Sequence, residues 1–403
     1  MRFTLLAVLT GIALVWGQTI LPPSIDPFNV PPVGYETAAP GSILRVRVAP
    51  GNLSSLFNAS AAYHILYRTT DSQYRPTSAV TTLFVPRLAN GSKLLSYQIP
   101  YDSANVDAGP SYALYGGNQA DIRAGLGRGW YVTSPDYEGP LASYTAGVLS
   151  GHATLDGVRA VLAAGFGLGP DATYAMAGYS GGALASEWAA ELQQAYAPEL
   201  SFAGAALGGL TPNVTSVMAA LDGTLTAGII VSAIIGLATQ YPGYLDVLTS
   251  QLKTTGPYNA TTFFSARNLS LVGTIVTFAN QNITDYFVDG AADLASTMAV
   301  AVINRDGIMG YHGVPQMPVF AYKAIGDELS PVVDTDRLIA RYCGIGANIV
   351  YNRNTVGMHA TEMANGDSRT FRFISDVLNG GYSHTGCTIL NVTNSGNSSV
   401  YLP

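Results

Sequence analysis

The chain has 403 residues, a formal net charge of −7, a pI near 5.1, and 11% charged against 48% hydrophobic residues. With no basic cluster it lacks the electrostatic footprint of a nucleic-acid binder, and its apolar content excludes a disordered chain. The length suits one large α/β domain carrying an insertion.

Met1 to Gly17 holds one basic residue, Arg2, then an apolar core from Leu5 to Trp16 that ends before the polar Gln18. This is the pattern of a secretory signal peptide cut after Gly17, and it is too short to span a membrane. Nine N-x-S/T sequons, at Asn52, Asn58, Asn90, Asn213, Asn259, Asn268, Asn282, Asn391 and Asn397, fit the same route. The expectation is a secreted, extracellular glycoprotein.

Gln18 to Pro40 is proline-rich and reads as an arm laid on the surface. Ile43 to Val48, Ala62 to Thr69 and Val80 to Pro86 alternate or are β-branched, which predicts an antiparallel opening to a sheet. From Leu94 the pattern changes. Strands are expected at Leu94 to Pro100, Trp130 to Ser134, Thr173 to Ala177, Phe202 to Leu207, Pro318 to Ala324 and Ala347 to Asn352. Helices are expected near Gly147 to Gly165, Gly182 to Ala195, Val333 to Tyr342 and Arg369 to Leu378. This alternation predicts an α/β fold with a mostly parallel sheet covered on both faces.

Between Thr211 and Met317 the alternation stops. The segment holds an apolar run from Leu225 to Ala238, too short for a membrane span. It reads either as a buried core helix or as part of a helical cap whose apolar face lines an acyl pocket. Insertions at the C-terminal ends of strands lie where open α/β sheets bind ligands, which favours the cap. The domain reading is a core over 18–210 and 318–403, with the cap over 211–317.

The chemistry centres on Thr173 to Leu192. An apolar run feeds Gly178-Tyr179-Ser180-Gly181-Gly182, and Leu184, Trp188 and Leu192 then recur every four residues along one helix face. A G-x-S-x-G pentapeptide is a weak signal alone in a chain with 44 glycines. At a strand-to-helix junction it describes a nucleophile elbow, with Ser180 pushed out of the sheet and the Gly181 amide aimed at an oxyanion.

In this architecture an acid and then a histidine follow the nucleophile. His64 and His152 precede Ser180, and His312 precedes every strand-end acid left to pair with it. His359 follows the last predicted strand and is favoured over His384, which reads as a surface residue. Asp327 directly follows a strand and is favoured over Asp334, which with Asp336 reads as a first-turn helix charge. Glu328 is expected to point away. A second oxyanion amide is expected from the loop Pro100 to Ser103, without the sequence choosing the residue. Cys343 and Cys387 form an even pair, and a disulfide is expected in an oxidising compartment. No Cys or His spacing suits a metal, and no cofactor is expected.

These residues carry a family resemblance. YDSANVDAGPSY from Tyr101, GRGWYVTSPDYEG from Gly127, LDGVRA from Leu155, GYSGGALASEWAAEL from Gly178, YAPEL from Tyr196, AIGDELSP from Ala324 and CGIGANI from Cys343 resemble the fungal secretory lipase family, of the Candida antarctica lipase A type and the α/β-hydrolase superfamily. The resemblance implies nucleophile Ser180, acid Asp327, base His359, oxyanion amides of Asp102 and Gly181, a cap on the insertion, and a Cys343 to Cys387 bond. Two departures stand out. The family type's second disulfide has no cysteines here, and only sixteen residues follow Cys387, so its long flap has no counterpart. The leading expectation is a secreted lipase on acylglycerols, acting as a monomer in transient contact with a lipid interface. A short-acyl esterase deacetylating a fungal secondary metabolite is the alternative, and a catalytically dead binding protein is the reading from another class.

Overall fold

The computed structural model describes residues 19–89 and 91–396. The expected signal peptide and the sequons at Asn90 and Asn397 lie outside these residues. The strands are β1 (Ile43–Val48), β2 (Ala61–Thr70), β3 (Pro76–Val85), β4 (Lys93–Gln98), β5 (Tyr131–Pro135), β6 (Thr173–Tyr179), β7 (Gly204–Gly208), β8 (Val319–Ala324), β9 (Ile349–Asn354) and β10 (Cys387–Val392). The helices that matter below are α1 (Gly147–Ala163), α2 (Gly181–Tyr196), α3 (Val214–Leu221), α4 (Gly228–Gln240), α5 (Pro242–Gln251), α6 (Leu271–Phe278), α7 (Thr297–Asp306), α8 (Val332–Ile345) and α9 (His359–Leu378).

One sheet runs β1-β2-β3-β5-β4-β6-β7-β8-β9-β10. β1 to β3 and the β3–β5 pair are antiparallel, and every pair from β5 through β4 to β10 is parallel. The parallel strands read as continuous apolar runs because successive side chains serve two cores. Leu94, Met176, Ala205, Ala321 and Ile349 pack with α1, α2 and α8, whereas Leu95, Ala175, Ala206, Phe320 and Val350 pack with α9. A third core lies among the helices between β7 and β8.

Two boundaries depart from expectation. Helix α9 begins at His359, ten residues before Arg369. Its first half, HATEMANGDS, is polar, so the apolar period shows only from Phe371; the buried Glu362–Arg369 ion pair holds the early turns instead. The tail after Cys387 forms β10, parallel to β9. Its residues alternate between exposed and half-exposed, as an edge strand does, which leaves little apolar signal to read.

The apolar run in the insertion is helix α4, buried along nearly its whole length. Its glycines do not leave room for an alkyl chain. A Cβ on Gly228 would sit 2.2 Å from the Thr274 carbonyl oxygen in α6, and one on Gly236 would sit 2.3 Å from the Tyr144 carbonyl oxygen. Both glycines are there to let backbones touch.

Cys343 and Cys387 are bonded, with a Cα–Cα distance of 5.7 Å. The bond ties the end of α8 to the start of β10. It closes a loop of 44 residues at the strand ends opposite Ser180. Reducing it should lower the melting temperature, at a cost of about 3 to 4 kcal/mol in the chain-entropy account, and leave kcat within about twofold. Differential scanning calorimetry and an esterase assay on oxidised and reduced protein check both halves of this expectation.

Candidate active site

Ser180 sits between β6 and α2 at φ 52° and ψ −122°, a region that costs a non-glycine residue of order 1–3 kcal/mol. Its neighbours explain why the strain is held. The Ser180 amide donates to the Gly208 carbonyl at 2.9 Å, and its own carbonyl accepts the Leu184 amide at 2.8 Å, so the turn is locked to β7 and α2. A Cβ on Gly178 would lie 2.2 Å from the Gly182 carbonyl oxygen, and one on Gly182 would lie 2.0 Å from the Gln98 carbonyl oxygen. The glycine spacing is therefore a requirement of backbone contact.

Three sequence-predicted residues meet here. His359 Nε2 lies 2.8 Å from Ser180 Oγ, and His359 Nδ1 lies 2.8 Å from Asp327 Oδ2. With the proton on Nδ1, the imidazole donates to Asp327 and leaves Nε2 to accept from the serine hydroxyl. Asp327 and His359 are buried, and Ser180 is half-buried. Asp327 Oδ1 accepts the amides of Leu329 and Ser330 at 3.0 and 2.8 Å. Burial works to raise the Asp327 pKa, but the His359 hydrogen bond and the Lys323 charge outweigh it and hold the carboxyl at about 2.

His359 is fixed by its backbone as well as its ring. It is the first residue of α9 rather than a loop residue; its amide donates to Glu328 Oε2 at 2.8 Å, and its carbonyl accepts from the Tyr179 hydroxyl. Glu328 thus turns toward the site, contrary to expectation, because the α9 N-terminus offers it an unpaired amide. The chain neighbours of Ser180 and Asp327 both hydrogen-bond the backbone of His359. Sequence reasoning missed Tyr179, Glu328 and Lys323; the only cue was their adjacency to the triad positions or, for Lys323, a lysine inside an apolar strand.

Gly181 opens α2, and Asp102 stands in the loop after β4 with φ 43°. The two are in contact: a Cβ on Gly181 would lie 1.8 Å from Asp102 Oδ1. The Asp102 carboxyl is buried, and burial pushes its pKa up to about 7. The Ser103 hydroxyl donates to the Leu269 carbonyl, so this loop also touches the helical insertion.

The remaining histidines lie elsewhere. His152 stacks on Tyr196, His64 contacts Arg47, His312 contacts Glu191, and His384 contacts Asn348 and Thr388. Burial lowers His152 to about 4 and His64 to about 3, which keeps both neutral. Asp334 pairs with Arg337 and Asp336 with Arg353 at the start of α8, away from the imidazole. Among the described residues, no group of three or more His, Cys, Asp or Glu side chains could hold a metal ion.

A mostly parallel sheet with a strained serine at a strand-to-helix turn, backed by histidine and aspartate from later strand ends, defines an α/β-hydrolase. A family model for secretory lipases matches residues 115–386. The chain is 46% identical over 406 residues to the trichothecene C-3 esterase of Fusarium sporotrichioides, covering 95% of this chain and 90% of that one. It is 39% identical to lipase A of Arthroderma benhamiae, over 91% and 82% of the two chains. The crystal structure of Candida antarctica lipase A in its closed state superposes with a TM-score of 0.84 at 28% identity, covering 93% and 91%. The chain belongs to the secretory lipase family, and it is a carboxylic-ester hydrolase.

Proposed function

We propose that the hydrolysis runs through an acyl-enzyme on Ser180, and the unbroken hydrogen-bond chain from Ser180 Oγ through His359 to Asp327 Oδ2 carries that reading. Ser180 Oγ attacks the ester carbonyl carbon as its proton passes to His359 Nε2. The amides of Gly181 and Asp102 hold the oxyanion, and His359 gives the proton to the departing alkoxide. Water then adds to the acyl-enzyme, losing a proton to His359. Collapse releases the carboxylic acid and returns the proton to Ser180. Asp327 keeps the imidazole in the required tautomer and stabilises its cation.

The segment 211–317 acts in this reading as a cap over the core of 18–210 and 318–403, with the Ser103 to Leu269 bond joining the two beside the nucleophile. Export as a glycoprotein is supported by the sequons: Asn52, Asn58, Asn268, Asn282 and Asn391 are exposed, and Asn213 and Asn259 are half-exposed at helix N-caps. Among the described residues no helix is long and apolar enough to cross a membrane.

For the substrate, acylglycerols are supported by exposed Val272 and Val276 on α6, next to the loop that Ser103 touches, which offer apolar surface to a lipid interface. A short-acyl deacetylase is favoured instead by the 46% identity to the trichothecene C-3 esterase and by the closed glycines of α4. A p-nitrophenyl ester series from acetate to palmitate separates the two. Each buried methylene contributes about 0.8 kcal/mol, so four further carbons in an apolar groove raise kcat/KM by about two orders of magnitude. A profile that peaks at acetate and falls with length would exclude the acylglycerol reading.

A further inference from the structure

Lys323 is a lysine on β8 whose side chain is wholly buried. Its ammonium has two partners. Nζ donates to the Leu210 carbonyl oxygen at 2.6 Å, just beyond β7, and lies 2.9 Å from Asp327 Oδ2. That oxygen is the one His359 Nδ1 uses, at 2.8 Å from the other side. With Leu329 and Ser330 on Oδ1, every acceptor direction of the Asp327 carboxylate is taken. A lysine is expensive to bury, and this one is lodged against the group that orients the base.

We propose that Lys323 is a positioning residue of the ester-hydrolysing site, which clamps Asp327 Oδ2 between β7 and β8 and, by its charge, carries activity to lower pH. The inference rests on the triad assigned above. The ammonium stops the carboxylate from turning away from the imidazole, and it sits two hydrogen bonds from the ring. A positive charge so near raises the energetic cost of placing a second one on the ring. Burial keeps the charge from being screened.

The surrounding titratable groups leave this role to Lys323. Glu328 takes the His359 amide, and Tyr179 donates to the His359 carbonyl. Asp102 lies across the site, pushed up to about 7 by burial. Asp334 and Asp336 face Lys323 from α8, each with its own arginine, and Glu362 on α9 pairs with Arg369. Among the described residues, Lys323 is the ammonium or guanidinium group paired with Asp327, and His359 is its imidazole partner.

The test is the pH profile of kcat/KM for p-nitrophenyl butyrate in wild type, Lys323→Met, Lys323→Gln and Lys323→Arg, with thermal melts to establish folding. With the ammonium about 6 Å from the ring nitrogen and an effective dielectric near 20, loss of the charge should move the acid limb upward by about two pH units. KM should stay within about twofold, because Lys323 does not touch the substrate. Gln, which keeps a donor without charge, should move the limb as Met does, and Arg should return it toward wild type. If every variant that folds keeps the wild-type acid limb and loses rate equally at all pH values, Lys323 only supports the fold and the proposal fails. Ser180→Ala, run alongside, separates this from failure of the triad reading: an active Ser180→Ala protein overturns the nucleophile itself.

Discussion

Ser180→Ala and His359→Ala each lower kcat/KM for p-nitrophenyl esters by roughly 10⁴- to 10⁶-fold, and Asp327→Asn by roughly 10⁴-fold, with thermal stability and yield little changed for the serine variant. The magnitude follows from the geometry. The three side chains form one hydrogen-bonded unit at 2.8 Å spacings, so removing one disables the others, and the double variant Ser180→Ala/His359→Ala should be no worse than either alone. Asp334→Asn is the control. Its carboxylate pairs with Arg337 on α8, so it should retain near wild-type activity. Stopped assays at saturating and limiting substrate decide the matter. A nearly active Asp327→Asn beside an inactive Asp334→Asn would reassign the acid.

The second large effect concerns the glycines around Ser180. Gly182→Ala and Gly178→Ala should each destabilise the protein by more than about 4 kcal/mol or abolish folded product, because the added methyl would meet carbonyl oxygens of the main chain at 2.0 and 2.2 Å. Gln98 and Gly182 contribute those oxygens from β4 and α2, neither of which can move without breaking the sheet or the elbow. Gly181→Ala should behave differently. Its methyl would meet the Asp102 carboxyl at 1.8 Å, a side chain that can give way by shifting the loop it belongs to. That protein should fold, yet lose roughly 10- to 100-fold in kcat with a smaller change in KM, the signature of a misplaced oxyanion donor. Thermal melts and kcat values for the three variants separate steric collapse from lost catalysis.

These contrasts show where the sequence was legible. The elbow could be read because its glycines keep a fixed spacing around the serine, Gly178 packing on Gly182 within the same turn, and because they follow a strand, Thr173–Tyr179, whose apolar run is long. The order of Ser180, Asp327 and His359 follows from the succession of strand ends, which alternation reveals. Lys323, Glu328 and Tyr179 could not be found that way. Their roles depend on which side chains converge from β6, β8 and α9, and a lysine within VFAYKA carries no periodic mark of burial.

The insertion shows the opposite limit. Glycines in α4 were compatible with either an open groove or close backbone packing, and only the approach of Thr274 and Tyr144 decides between them. The start of α9 was hidden because its first turns are held by polar bonds, Glu362 to Arg369 and Asn354, instead of an apolar stripe. β10 was hidden because an edge strand needs few apolar residues.

Mass spectrometry of the protein after treatment with a fluorophosphonate tests the central claim most directly. The account predicts one phosphonyl adduct per chain, located on Ser180, formed at a rate that collapses in His359→Ala and accompanied by stoichiometric loss of esterase activity. An adduct on another serine, or full ester turnover by a chain already labelled at Ser180, would contradict it.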